Sequence, residues 1–218
     1  PQNYNYTLSQ HIDNLEALID KLSLIDITLM VHDWGGAIGM GFAVRHPQKI
    51  KRLVLFNTAA FLSEKIPVRL KLCRVPGFAD IAIRGFNVFA LAAVGMACKN
   101  KERMTDEVRA GYLAPYNNFA NRIATLRFVQ DIPMSSDALS YSVVKNIEEN
   151  LEQFKSLPVM IVWGAKDFVF NDHFLKKWQG IFPEAEVHRV QDAGHYVVED
   201  AHERIIPWVQ EFLQKNPL

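Results

Sequence analysis

Residues Ile25 to Pro47 read IDITLMVHDWGGAIGMGFAVRHP. Ile25 to Val31 is rich in β-branched and apolar side chains, His32 to Gly36 interrupts the run, and the following residues resume with small side chains at helical spacing. The pattern is strand, tight turn, helix. A carboxylate, Asp33, stands on the turn. A side chain so placed is presented at the C-terminal edge of a sheet, beside a helix N-terminus whose amides and dipole favour negative charge and can hold an oxyanion. Gly35 and Gly36 let the turn be tight. In the G-x-S-x-G nucleophile elbow a serine takes this place; here Asp33 takes it, and Val31 occupies the first small-residue position. Aspartate can attack carbon to give a covalent ester, which suits alkyl halides, epoxides and strained lactones. The plain alternative is that Asp33 is only a turn or helix cap.

Working outward, Leu8, Ile12, Leu15, Leu18, Ile19 and Leu22 recur at helical spacing, with Thr7 or Ser9 available as the cap. Leu53 to Asn57 (LVLFN) and Pro158 to Gly164 (PVMIVWG) are short apolar runs that fit strands buried on both faces. A helix through His173 to Trp178, a strand over Ala185 to Val190 and a last helix near Glu203 to Gln214 complete the alternation. Strands alternating with helices predict an α/β fold with a mostly parallel sheet. Between Phe61 and Asn146 the rhythm turns helical and is broken by Pro67, Pro76, Gly85, Gly95, Pro115 and Pro133. Residues 1–60 and 147–218 are therefore expected to form the core, and 61–146 a helical cap over the strand ends, where open parallel sheets bind ligands.

Two further turns follow strands. After the third comes Trp163-Gly164-Ala165-Lys166-Asp167, and after the fourth Asp192-Ala193-Gly194-His195-Tyr196. Nucleophile, acid and histidine thus stand in the chain order of an α/β-hydrolase elbow. His195 is expected as general base and Asp167 as the acid that sets its tautomer. The second strand ends in Asn57 and Thr58 and offers no acid of its own. Trp34 is expected at the oxyanion or leaving-group pocket, through its amide or its indole N–H, with plain aromatic packing as the alternative. His32 is read as turned to the other face of the strand, in a structural role. His46 reads as a helix C-terminal residue, and His11, His173, His188 and His202 lack metal-ligand spacing, so neither metal nor cofactor is assigned.

The chain has 218 residues, 24 Lys and Arg against 24 Asp and Glu, and is 49% hydrophobic. That is enough apolar content for a core, and the balanced charge argues against nucleic acid or an anionic membrane surface as partner. Cys73 and Cys98 make no disulfide framework, which points to a reducing, cytoplasmic setting. The longest apolar run, Val88 to Cys98, is about half of the roughly 20 residues a membrane span needs. It reads as helix packing within the cap, with alkyl-chain contact as the alternative.

The segments HDWGGAIGMGFAVRHPQKIKRLVLFNTAAF, WGAKDFVF and DAGHYVVEDA resemble the haloalkane dehalogenase-like branch of the α/β-hydrolase superfamily. Within it, GYLAPYNNFANRIATLRFVQDIPM and FPEAEVHRVQDAGHYVVEDA are most similar to the β-lactone decarboxylases of bacterial long-chain olefin biosynthesis. The resemblance implies Asp33 as nucleophile, His195 as its partner, Asp167 as supporting acid and Trp34 in the pocket. It also implies a small apolar electrophile as substrate, and a complex with other olefin-biosynthesis enzymes. Members of the branch begin with further strands and an HG-type loop that supplies a second oxyanion amide. Those strands are expected to be missing here, on the order of 70 residues by usual strand and loop lengths.

The leading expectation is decarboxylation of a cis-3,4-dialkyl β-lactone to a cis-alkene. Attack at the carbonyl and attack at the β-carbon both remain open. Haloalkane dehalogenation is the first alternative, although Trp34, Trp163, Trp178 and Trp208 place no tryptophan in the insertion as a halide donor. Epoxide hydrolysis, with Tyr112, Tyr116 or Tyr141 protonating the oxirane oxygen, is the second. An inactive or truncated interaction protein on the same fold is the non-enzymatic reading.

Overall fold

The four apolar runs form strands β1 (Ile27–Asp33), β2 (Ile50–Thr58), β3 (Val159–Gly164) and β4 (Glu186–Val190). The computed structural model describes residues 2–63, 75 and 77–218; Cys73, Pro67 and Pro76 lie outside the described residues. All strand pairs are parallel, in the order β1-β2-β3-β4. The register sets Val31 beside Leu55, Leu55 beside Ile161 and Ile161 beside Val187, so the strand ends line up along one edge.

Both faces of the sheet are covered, which is why its central strands read as unbroken apolar runs rather than as alternating ones. Successive residues point to opposite faces. Leu53, Leu55, Ile161 and Trp163 pack in one cluster with helices α1 (Leu8–Lys21), α2 (Trp34–Arg45) and others. Val54, Phe56, Met160 and Val162 pack in a second cluster with the C-terminal helix. Helix α1 starts where Thr7 accepts the Gln10 amide through its hydroxyl. Helix α2 ends at His46, whose Nε2 meets Glu16 at 2.6 Å.

Between β2 and β3 the described residues contain no strand. They form a π-helical turn (Asp80–Gly85) and helices α3 (Val88–Met96), α4 (Asp106–Leu113), α5 (Ile123–Gln130) and α6 (Tyr141–Glu149). Helix α6 runs through positions 146 and 147, and its Val144 and Ile147 join the sheet-side cluster. The Asp131 carboxylate, just past α5, accepts the Leu8 amide at 2.7 Å and so ties this region to the start of α1.

After β3 come α7 (Asp172–Ile181), β4 and α8 (Val197–Lys215). The last helix begins well before Glu203, where the apolar periodicity places it. Val197 and Asp200 already belong to it, and a break at Ala201 (φ −145°) separates this first turn from the periodic part. Among the described residues, no helix is long and apolar enough to cross a membrane.

Candidate active site

Asp33 is the last residue of β1 and sits at φ 50°, ψ −127°, a backbone conformation that costs a non-glycine residue about 1–3 kcal/mol. The surroundings hold it there. The Thr58 hydroxyl at the end of β2 donates to the Asp33 carbonyl oxygen, and Gly36 lies so close to Thr58 that a Cβ would meet Oγ1 at 1.8 Å. Glycine at 36 is therefore required by the approach of the β2 end, and the sharp turn aims the Asp33 side chain outward, 43% exposed.

Three strand ends converge on this point. His195 Nδ1 lies 2.9 Å from Asp167 Oδ2, and His195 Nε2 lies 4.0 Å from Asp33 Oδ2. A carboxylate only accepts, so Nδ1 carries the proton and donates to Asp167. That leaves Nε2 facing Asp33, beyond direct hydrogen-bond reach. Asp167 is buried and held twice more: the Val169 amide donates to Oδ1 at 2.6 Å, and Asn57 Nδ2 donates to Oδ2 at 2.9 Å. Burial pushes the His195 pKa down, but the hydrogen bond and charge of Asp167, with the charge of Asp33, outweigh it and leave the value raised.

Two contributors escape a reading of the sequence. In the sequence Asn57 is simply a strand end that supplies no acid; its side-chain amide holds Asp167 and accepts the Gly164 amide at 2.6 Å. His32, read as structural from its place on the strand, meets the loop that carries His195. Its Nε2 lies 2.8 Å from the His195 carbonyl oxygen and its ring centroid 4.7 Å from that of His195. A carbonyl accepts, so His32 Nε2 is the donor. Burial and the nearby charge of His195 lower the His32 pKa.

Above the carboxylate lies a cavity of about 370 Å³ whose wall includes Asp33 itself, Phe89, Ala93 and Val94 of α3, and Tyr112 and Tyr116. One face of α3, within the Val88 to Cys98 run, is thus cavity wall. Tyr112 donates to Glu199 at 2.9 Å and stacks on Tyr196 at 4.7 Å. Burial raises the Tyr196 pKa to about 12 and, with the Glu199 hydrogen bond, raises that of Tyr112, so both are neutral phenols. Tyr141 opens α6 and is not part of this wall. Trp34 opens α2, where its N–H belongs to the first-turn amides that lack an intrahelical acceptor. Its ring meets Phe128 edge-on at 5.5 Å and is not among the residues of the cavity wall.

The model of the α/β-hydrolase fold family matches residues 1–201. The chain belongs to that family. It is 46% identical over 217 residues to a cis-3-alkyl-4-alkyloxetan-2-one decarboxylase of Shewanella oneidensis, covering 98% of this chain and 68% of that protein. A second protein of that name, from Xanthomonas campestris pv. campestris, is 41% identical over 99% of this chain and 72% of its own length. Among solved structures, the haloalkane dehalogenase DatA from Agrobacterium tumefaciens superposes with a TM-score of 0.85 at 22% identity, covering 99% of this chain and 75% of that one. That last likeness speaks for the fold alone.

Proposed function

We propose that this α/β-hydrolase decarboxylates cis-3,4-dialkyl β-lactones to cis-alkenes, with Asp33 as nucleophile. The observation that carries the reading is a carboxylate, not a hydroxyl, on the elbow, facing a cavity walled largely by apolar side chains. Supporting it are the relatives at 46% and 41% identity, both named as decarboxylases of this substrate class.

The proposed chemistry balances without water. Asp33 Oδ attacks the β-carbon, the alkyl-bearing ring carbon bonded to the ring oxygen; the bond between that carbon and the ring oxygen breaks, ring strain is released, and a free carboxylate and an alkyl ester of Asp33 result. Loss of carbon dioxide then sends the C–C electron pair into the new double bond and expels the Asp33 carboxylate. Inversion at the first step followed by anti elimination at the second converts a cis lactone into a cis alkene, which favours this carbon over the carbonyl. His195, protonated on both ring nitrogens and held by Asp167, stabilises the departing Asp33 carboxylate across the 4.0 Å to Nε2, and the backbone N–H of Trp34 lies at the N-terminus of α2, directly after Asp33.

The test is incubation with a cis-3,4-dialkyl oxetan-2-one and analysis of the headspace or extract for alkene. Wild-type protein is expected to release cis-alkene and carbon dioxide in equal amounts, and Asp33→Asn none. Halide release from a 1-bromoalkane without alkene from the lactone would overturn the reading in favour of dehalogenation, where His195 instead activates water.

A further inference from the structure

We propose that Asp200 is a positioning residue that fastens the cap to the loop carrying His195, so that α3 and the histidine hold one relative position. The inference rests on the roles given above to Asp33, Asp167 and His195. Asp200 lies in the first turn of α8 and is buried. Its Oδ1 accepts the Asn100 amide at 2.7 Å, the Lys99 amide at 2.8 Å and the Cys98 thiol at 3.0 Å. Its Oδ2 accepts the Gly194 amide at 2.7 Å and shares the Lys99 amide at 3.0 Å.

One side of this carboxylate therefore holds the chain just after α3, and the other holds the residue immediately before His195. The residue after His195 is tied as well, because the Tyr196 amide donates to the Ala97 carbonyl at 3.1 Å. There is no slack between the two segments. A Cβ on Gly194 would lie 2.4 Å from the Ala97 oxygen, and a Cβ on Gly164 would lie 2.1 Å from the Gly194 oxygen. The His195 loop is thus pressed between the end of α3 and the β3 turn that leads to Asp167. Since the other end of the coupling, Ala93 and Val94, is cavity wall, a displacement of the cap displaces His195 relative to Asp33.

The groups facing His195 are Asp167 from the β3 turn, and Asp33 and His32 from β1, with Tyr196 beside it on its own loop. None of these side chains hydrogen-bonds the Asp200 carboxylate; the Asp200 backbone amide donates to the Tyr196 carbonyl at 3.0 Å. Asp200→Asn can therefore act on the imidazole by moving it or by loss of charge through space, and Gly194→Ala, which keeps the charge, separates the two. Asp200→Asn keeps the size of the side chain but sets an NH2 group against a ring of donors. The readout is titration of His195 by NMR in protein labelled with 15N-histidine, without substrate, together with kcat on the lactone. In Asp200→Asn the raised His195 pKa is expected to fall toward the ordinary histidine value as the Asp167 contact loosens, and kcat to fall by roughly 10- to 100-fold. Gly194→Ala leaves the carboxylate in place and pushes the two segments apart; it is expected to shift the His195 titration in the same direction. Should Asp200→Asn not fold, Gly194→Ala decides by the same readout. An unchanged His195 titration in the folded variants overturns the proposal and leaves Asp200 as a stabilising contact only. Because the titration needs no substrate, an error in the lactone assignment does not affect it.

Discussion

Asn57 clamps the Asp167 turn from the neighbouring strand: its Nδ2 donates to Asp167 Oδ2 at 2.9 Å while its Oδ1 accepts the Gly164 amide at 2.6 Å. One buried amide at the end of β2 thus satisfies both the strand end and the acid that follows it. Asn57→Ala leaves the Gly164 amide without this acceptor in the interior, a loss of about 1–3 kcal/mol. Urea unfolding should show a lower midpoint with an unchanged slope, and an unchanged midpoint would contradict the clamp.

Asp167→Asn is expected to lower turnover by up to roughly 10⁴-fold, the size of the same change in a serine-protease triad, because the imidazole loses the partner that sets its tautomer. Stability gives an independent check. The folded-state pKa of His195 is raised, so the proton is bound more tightly in the folded protein. The stabilisation this gives is full below the unfolded histidine value and is lost as pH rises through the folded one. The gap in stability between wild type and Asp167→Asn should therefore be wider in mildly acidic buffer and narrower in alkaline buffer, read by thermal melts across pH.

At the elbow, Gly36→Ala would force a methyl group into Thr58, whose hydroxyl holds the Asp33 carbonyl. Overpacking of this kind costs about 1–3 kcal/mol. Loss of activity beyond the loss of folded protein is expected, since Thr58 must move and the Asp33 backbone moves with it. Circular dichroism and active-site titration on the same sample separate the two effects.

In the cavity, Ala93→Phe places a ring in a space of about 370 Å³. Ala93 is only half-buried, so stability should change little. Lactones with long alkyl arms are expected to lose about tenfold or more in kcat/KM while short-armed ones are spared. Equal losses for both would show that α3 does not set chain length.

The strands, the elbow and the order of Asp33, Asp167 and His195 were legible because each depends on neighbours in sequence: β-branched runs, glycines after a carboxylate, and a period that switches from strand to helix. Even the helix α1 cap at Thr7 is a local matter. The start of α8 was not legible, because its first turn is held by contacts of Asp200 with Asn100 and Gly194 rather than by apolar periodicity. His32 shows the same limit. Alternation along β1 states which face it takes, but not that the loop after β4 arrives on that face with His195.

The sequence by itself determined the fold class and the presence of an aspartate where hydrolases of this family carry a nucleophile, since backbone geometry at the elbow follows from local sterics. Only the tertiary structure decided what surrounds that aspartate. The Asn57 clamp, the His32 donor, the α3 wall and the Asp200 tie each join segments far apart in the chain. Such contacts exist only after the strands have aligned and the interior has excluded the water that would otherwise satisfy the same polar groups.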